Sequence, residues 1–175
     1  AAEHLIELGH QRIGCITGPS DLTLSAERVT GYRCALREAG LAVDESLIIR
    51  GNFQYESGYQ ATRQFMAQPN PPTAIFACND LMAMGAINAA IKQGWPIPAR
   101  LSVVGFDDIR LASYTNPLLT TVAQPKYEMG SIATTMLLER IHHPEMPPCQ
   151  KLLDIHLVVR ESTAPRESSE RKVEL

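Results

Sequence analysis

Aromatic side chains make up only 6% of this 175-residue chain, and Trp95 is its single tryptophan. Apolar weight comes instead from aliphatic residues, and a 45% hydrophobic content is enough to pack a core in one ordinary domain or lobe. Charge of one sign is equally scarce: 16 basic residues stand against 19 acidic ones, a formal net charge of -3. That balance provides no broad cationic surface, so this chain alone is expected to bind DNA poorly. No run of eighteen apolar residues occurs, which leaves no candidate membrane-spanning helix. The amino end has no charged head followed by an apolar stretch and a cleavage site, so no export signal is expected.

Other absences narrow the chemistry. The cysteines, Cys15, Cys34, Cys78 and Cys149, include no CxxC pair, and two of them fall in apolar, strand-like runs. Free buried thiols in a reducing cytosol fit that pattern, which sets a cytoplasmic expectation. Neither a GxSxG elbow nor a GxxxxGK phosphate loop is present. His142 and His143 sit beside a proline cluster with His156 further on, a spacing that suits a solvated loop better than a zinc site. Neither metal, cofactor nor turnover is expected.

What is present is alternation. Leu5, Ile6 and Leu8 mark a helix that stops at Gly9, and Arg12 to Thr17 reads as a buried strand. Ser25 is placed to cap a helix whose apolar side holds Val29, Tyr32, Leu36 and Ala39 and which ends at Gly40. Leu47 to Ile49 is a short strand, and Tyr59, Phe65 and Met66 mark a helix halted before Pro69. Ala74 to Ala77 is a continuous apolar strand. A helix from Asp80 to Lys92 follows, apolar over much of its circumference, with one side free to face a partner chain. Leu101 to Phe106 and Leu118 to Val122 are further strands, the first followed by a short helical turn. Met129, Ile132, Ala133, Met136 and Leu137 line an amphipathic helix that ends near Pro144, and Leu152 to Val159 is a last strand. Alternating strands and helices predict an α/β fold, a Rossmann-like parallel sheet with helices on both faces.

Two strand ends carry the functional signal. One is Asn79 and Asp80 after an apolar run ending at Cys78; the other is Asp107 and Asp108 after Val103 to Phe106. Ligands of open parallel sheets bind beyond the carboxyl ends of the strands, so Asn79 and Asp107 are expected to face one crevice. Each could instead only cap a helix. Asp107 and Asp108 are adjacent on a strand end, so their side chains diverge rather than form an acid–base pair.

The chain resembles the effector-binding core of lactose-repressor-type bacterial transcription regulators. The match is carried in order by HLIELGHQRIGCITGP from His4, ERVTGYRCAL from Glu27, ESGYQA from Glu56, NDLMAMGA from Asn79, LSVVGFDDI from Leu101, LTTVAQPKYEMG from Leu119 and LVVREST from Leu157. ITGPSDLT together with TTVAQPK looks most like the ribose operon repressor branch. The resemblance implies a periplasmic-binding-protein-like fold of two lobes closing on a sugar or nucleobase, here mostly one lobe of the two, and a helix-turn-helix DNA-binding head that precedes it in the full protein. It divides the chain into residues 1–124 of the C-terminal lobe, a crossover segment 125–150 belonging to the absent N-terminal lobe, a return strand in 151–165 and a polar tail, 166–175. The helix from Tyr127 to about Ile141 then lacks its usual bed, and is expected to pack against another copy of the chain or to refold onto this lobe.

The same resemblance implies that Arg28, Phe53, Asn79, Asp107 and Gln124 touch the effector. A sugar offers hydroxyls that donate and accept and an apolar ring face, so a planar cation, a carboxylate, two amides and an aromatic plate suit it chemically. Taken singly, Arg28 suits a solvated helix, Phe53 a packing anchor and Gln124 a loop. The expected function is effector sensing and dimerisation in a cytoplasmic repressor, with a small molecule, a sugar such as ribose, as effector, a second copy as partner, and operator DNA reached only through the absent head. The dimer contact is expected near the helix from Asp80 and the turn after Asp108. The alternative is an exported sugar-binding protein serving a transporter.

Overall fold

The computed structural model describes residues 1–166. Six strands form one sheet in the order β2-β1-β3-β4-β5-β6: β1 is Ile13–Thr17, β2 Ile48–Arg50, β3 Ala74–Ala77, β4 Ser102–Asp107, β5 Thr120–Ala123 and β6 His156–Val158. The first five are parallel, as the alternation predicts. β6 runs antiparallel to β5 and is only three residues long, against an expected strand from Leu152 to Val159. The longer apolar run reads as a strand in sequence, but Leu152 and Ile155 lie exposed ahead of the pairing. The polar tail expected from 166 onward lies outside the described residues beyond Arg166.

Helices cover both faces. α1 (Ala2–Glu7) and α2 (Thr23–Glu38) pack together, whereas α3 (Tyr55–Met66) and α4 (Asp80–Lys92) form a tightly interlocked pair. The two sides separate by the pleat of the strands. Gly14 of β1 would direct a Cβ into the Phe65 ring of α3, while Tyr32 of α2 shares a cavity wall with Phe76 and Phe106. The α3–α4 pair approaches closely because glycine stands at the crossing. A Cβ on Gly85 would lie 2.1 Å from the Tyr55 carbonyl oxygen, and one on Gly58 would lie 2.0 Å from that of Met82.

Local chemistry sets most element ends. Asn79 caps α4 by accepting the Met82 N–H at 3.0 Å. α2 ends in a left-handed Gly40, with the Leu41 N–H returning to the Leu36 carbonyl. Ser25 is not the cap of α2, contrary to expectation. The helix starts two residues earlier at Thr23, and the Ser25 hydroxyl is buried without a hydrogen-bond partner. Ala39 is exposed, and Ala35 takes the place in the core expected for it.

α5 (Lys126–His142) is the exception to this packing. None of its residues is buried, and Tyr127, Leu137 and Ile141 are among the most exposed apolar side chains. Met129, Ile132 and Met136 face Leu152, Leu153 and Ile155 across an open groove of about 390 Å³. The helix is thus left largely uncovered by the rest of the described residues.

Candidate functional site

Strand register brings the expected residues to one rim. Asp107 closes β4 opposite Ala123 of β5, so Gln124, one residue further on, stands beside the Asp107 carboxylate. Its amide donates to Asp107 Oδ1 at 2.6 Å. Arg28, in the second turn of α2, reaches the same oxygen at 3.2 Å with one nitrogen and donates with another to the Cys78 carbonyl at the end of β3. Its guanidinium also lies 3.9 Å over the Phe106 ring. The Arg28 and Asp107 side chains are 15% and 26% exposed, so their pairing is only partly screened by solvent.

Asn79 follows Cys78 directly and does two jobs. Its oxygen caps α4, and its amide nitrogen donates to the Phe53 carbonyl at 2.9 Å. Phe53 lies beyond β2 with a φ of 65°, and its ring occupies the space a side chain on Gly18 would need, with ring atoms 2.0 and 2.4 Å from the position of a Cβ there. A side chain on Gly18, where the first strand ends, would therefore displace the Phe53 ring. Arg28, Asp107 and Gln124 thus form one contact group and Phe53 with Asn79 a second. The Cys78–Asn79 step joins them along the carboxyl ends of β1 to β5.

Electrostatics separates the acids of this rim. Burial raises the Asp107 carboxyl, opposed by Arg28, Gln124 and Lys126. Asp107 does not cap the 3-10 turn Arg110–Ser113, whose first residue is preceded by Ile109. Asp108 points elsewhere, to Arg160 at 2.7 Å, so the two neighbouring acids do diverge. Asp80 is fully buried and burial pushes its carboxyl up to about 6, although it accepts from the Thr121 hydroxyl and, at 2.7 Å, the Ile109 N–H.

Asp80, Lys126 and Arg160 are the residues that sequence reasoning left out. A signal for Asp80 existed: its carboxylate lies flat on β4 where Gly105 leaves room, a Cβ there being 2.3 Å from Oδ1. Lys126 and Arg160 stand in the QPK and REST stretches but reach the rim only through the turn and the antiparallel return. Among the described residues no group of three or more His, Cys, Asp or Glu side chains is placed to hold a metal ion. His142 instead bonds its own helix at the Leu138 carbonyl. Among the same residues no helix is long and apolar enough to cross a membrane.

Residues 2–163 match the model of the periplasmic binding protein-like domain. The chain belongs to that family. It is 44% identical over 163 residues to the HTH-type transcriptional repressor CytR of Escherichia coli (strain K12), covering 93% of this chain and 48% of that repressor. A solved complex of the transcriptional regulator CelR with cellobiose superposes with a TM-score of 0.89 at 40% identity, over 93% of this chain and 50% of CelR. The lac repressor dimer bound to operator and the anti-inducer ONPF gives 0.84 at 32% identity, over 93% and 56%. This periplasmic-binding-protein-like chain thus spans about half the length of the curated relatives it matches. Those relatives are repressors, which agrees with the regulator expectation and does not favour the transporter alternative.

Proposed function

We propose that this chain is the C-terminal lobe of the effector-sensing core of a cytoplasmic, lactose-repressor-type transcription regulator, and that its rim of strand ends forms half of a sugar site. The observation that carries the reading is the Asp107 carboxylate held between Arg28 and Gln124 at the carboxyl edge of a parallel sheet. Arg28 and Asp107 present a fork of donors and an acceptor to vicinal hydroxyls. Asn79 and Gln124 add neutral groups that both donate and accept, and Phe53 supplies an apolar surface.

On this reading residues 125–150 cross into a first lobe, which lies on the open α5 face, and 151–165 return from it. Effector closes the two lobes and changes the geometry presented to DNA-binding heads, which requires unequal affinity for the open and closed states. Two copies pair through α4 and the 3-10 turn, where Ile91, Leu111 and Tyr114 are 49%, 52% and 68% exposed. Calorimetry of D-ribose, cellobiose and a wider sugar panel against the full-length protein tests the proposal. Saturable binding of one sugar, abolished or weakened by changes at Arg28 and Asp107, is the expected result. Heats that stay at the dilution baseline for every sugar would dismiss it.

A further inference from the structure

The bend that leaves β4 has an unusual backbone. Asp107 and Asp108 both carry positive φ, 109° and 49°, a region that residues with a Cβ enter only against steric resistance. Such conformations persist where surrounding groups over-determine them. Arg28 and Gln124 hold the Asp107 carboxylate, Arg160 holds that of Asp108, and Asp80 accepts the Ile109 N–H. Lys126 does something different. Its Nζ donates to the backbone oxygens of both Asp107 and Asp108, each at 2.7 Å. It is the first residue of α5, so the grip on the bend comes from the segment that leaves the lobe.

We propose that Lys126 is a positioning residue of the rim: by bridging the two carbonyls it fixes the left-handed bend, aims the Asp107 carboxylate, and ties that aim to the root of α5. The inference rests on reading Asp107 as a ligand-facing acid, and adds to it the group that sets the acid's direction. An ammonium suits this task because its three donors can serve two carbonyls at once. A guanidinium could span them too, whereas a thioether of similar length cannot donate.

The test is backbone NMR of the 175-residue chain without ligand, comparing wild type with K126M, K126L and K126R. In K126M and K126L the carbonyl and Cα shifts of Asp107 and Asp108 are expected to leave the left-handed range, while the resonances of β1 and β3 stay in place. K126R is expected to retain the wild-type shifts. Shifts at Asp107 and Asp108 that are the same in K126M as in wild type would overturn the proposal, as would K126R relaxing as far as K126M. Should K126M fail to fold, K126L is judged by the same criteria. Because the readout needs no sugar, a chain that binds none but whose bend relaxes in K126M would defeat the proposed function and leave this assignment standing.

Discussion

Asp107 and Asp80 lie one strand apart and are set to different tasks by their surroundings. Asp107 has a cation and an amide on one oxygen, so removing it strands the Arg28 guanidinium in a partly buried place. Losing one partner of a charged hydrogen bond costs about 1.5–3 kcal/mol. D107A in the full-length protein should therefore weaken sugar binding roughly tenfold or more by calorimetry. Asp80 has hydrogen bonds but no cation among its described partners, and its carboxyl is pushed up to about 6. The folded protein then holds that proton more firmly than the unfolded chain, whose aspartates titrate near 3.9. Asp80 therefore contributes a loss of stability as pH rises from about 4 to about 6, and none of that loss is recovered above it. D80N, which never ionises, should gain on wild type across that window, read as the difference between their thermal midpoints at each pH. A constant difference would show that Asp80 does not titrate there. The rim positions of Asn79 and Asp107 were legible in sequence because each ends or follows an apolar strand, whereas Gln124, a loop residue taken singly, was reached through the family resemblance. Lys126 and Arg160 were not, because what they grip is a bend whose backbone no local pattern announces.

The interlock of α3 and α4 shows which glycines matter. Gly85 meets backbone at 2.1 Å, and the atoms in the way cannot swing aside as a side-chain tip could. G85A should force the helices apart and lower stability by roughly 1–3 kcal/mol in urea unfolding. G31A is the contrasting case, on α2 with nothing within 4 Å of its new methyl. It should be neutral or raise stability by up to about 1 kcal/mol, since alanine is the better helix former. Equal effects from the two would refute the close-approach argument. Most elements were readable from periodicity, because buried parallel strands such as Ala74–Ala77 are continuous apolar runs and α4 carries its own cap. The start of α2 was not. Leu22 at the N-cap makes no side-chain bond, and with Ser20, Asp21, Thr23 and Ser25 all of cap type nearby, composition does not single out the helix start. β6 was overestimated because apolar residues continue ahead of the three that pair.

Among the described residues the apolar side chains left in the open include two sets, those of the α5 face and Ile91, Leu111 and Tyr114. The second is the proposed dimer contact. Sedimentation of the chain should give twice its monomer mass, and L111E with Y114E should return it to one copy while leaving the circular dichroism spectrum unchanged. A wild-type chain that sediments as one copy at every concentration tested would remove that contact. The antiparallel return described above has one more consequence. Ala123 pairs with His156, so the chain departs and comes back at neighbouring points, about 4.8 Å apart as adjacent strands are. Whatever residues 126–155 carry thus hangs from a narrow double strap, both of whose ends are held in register by the sheet.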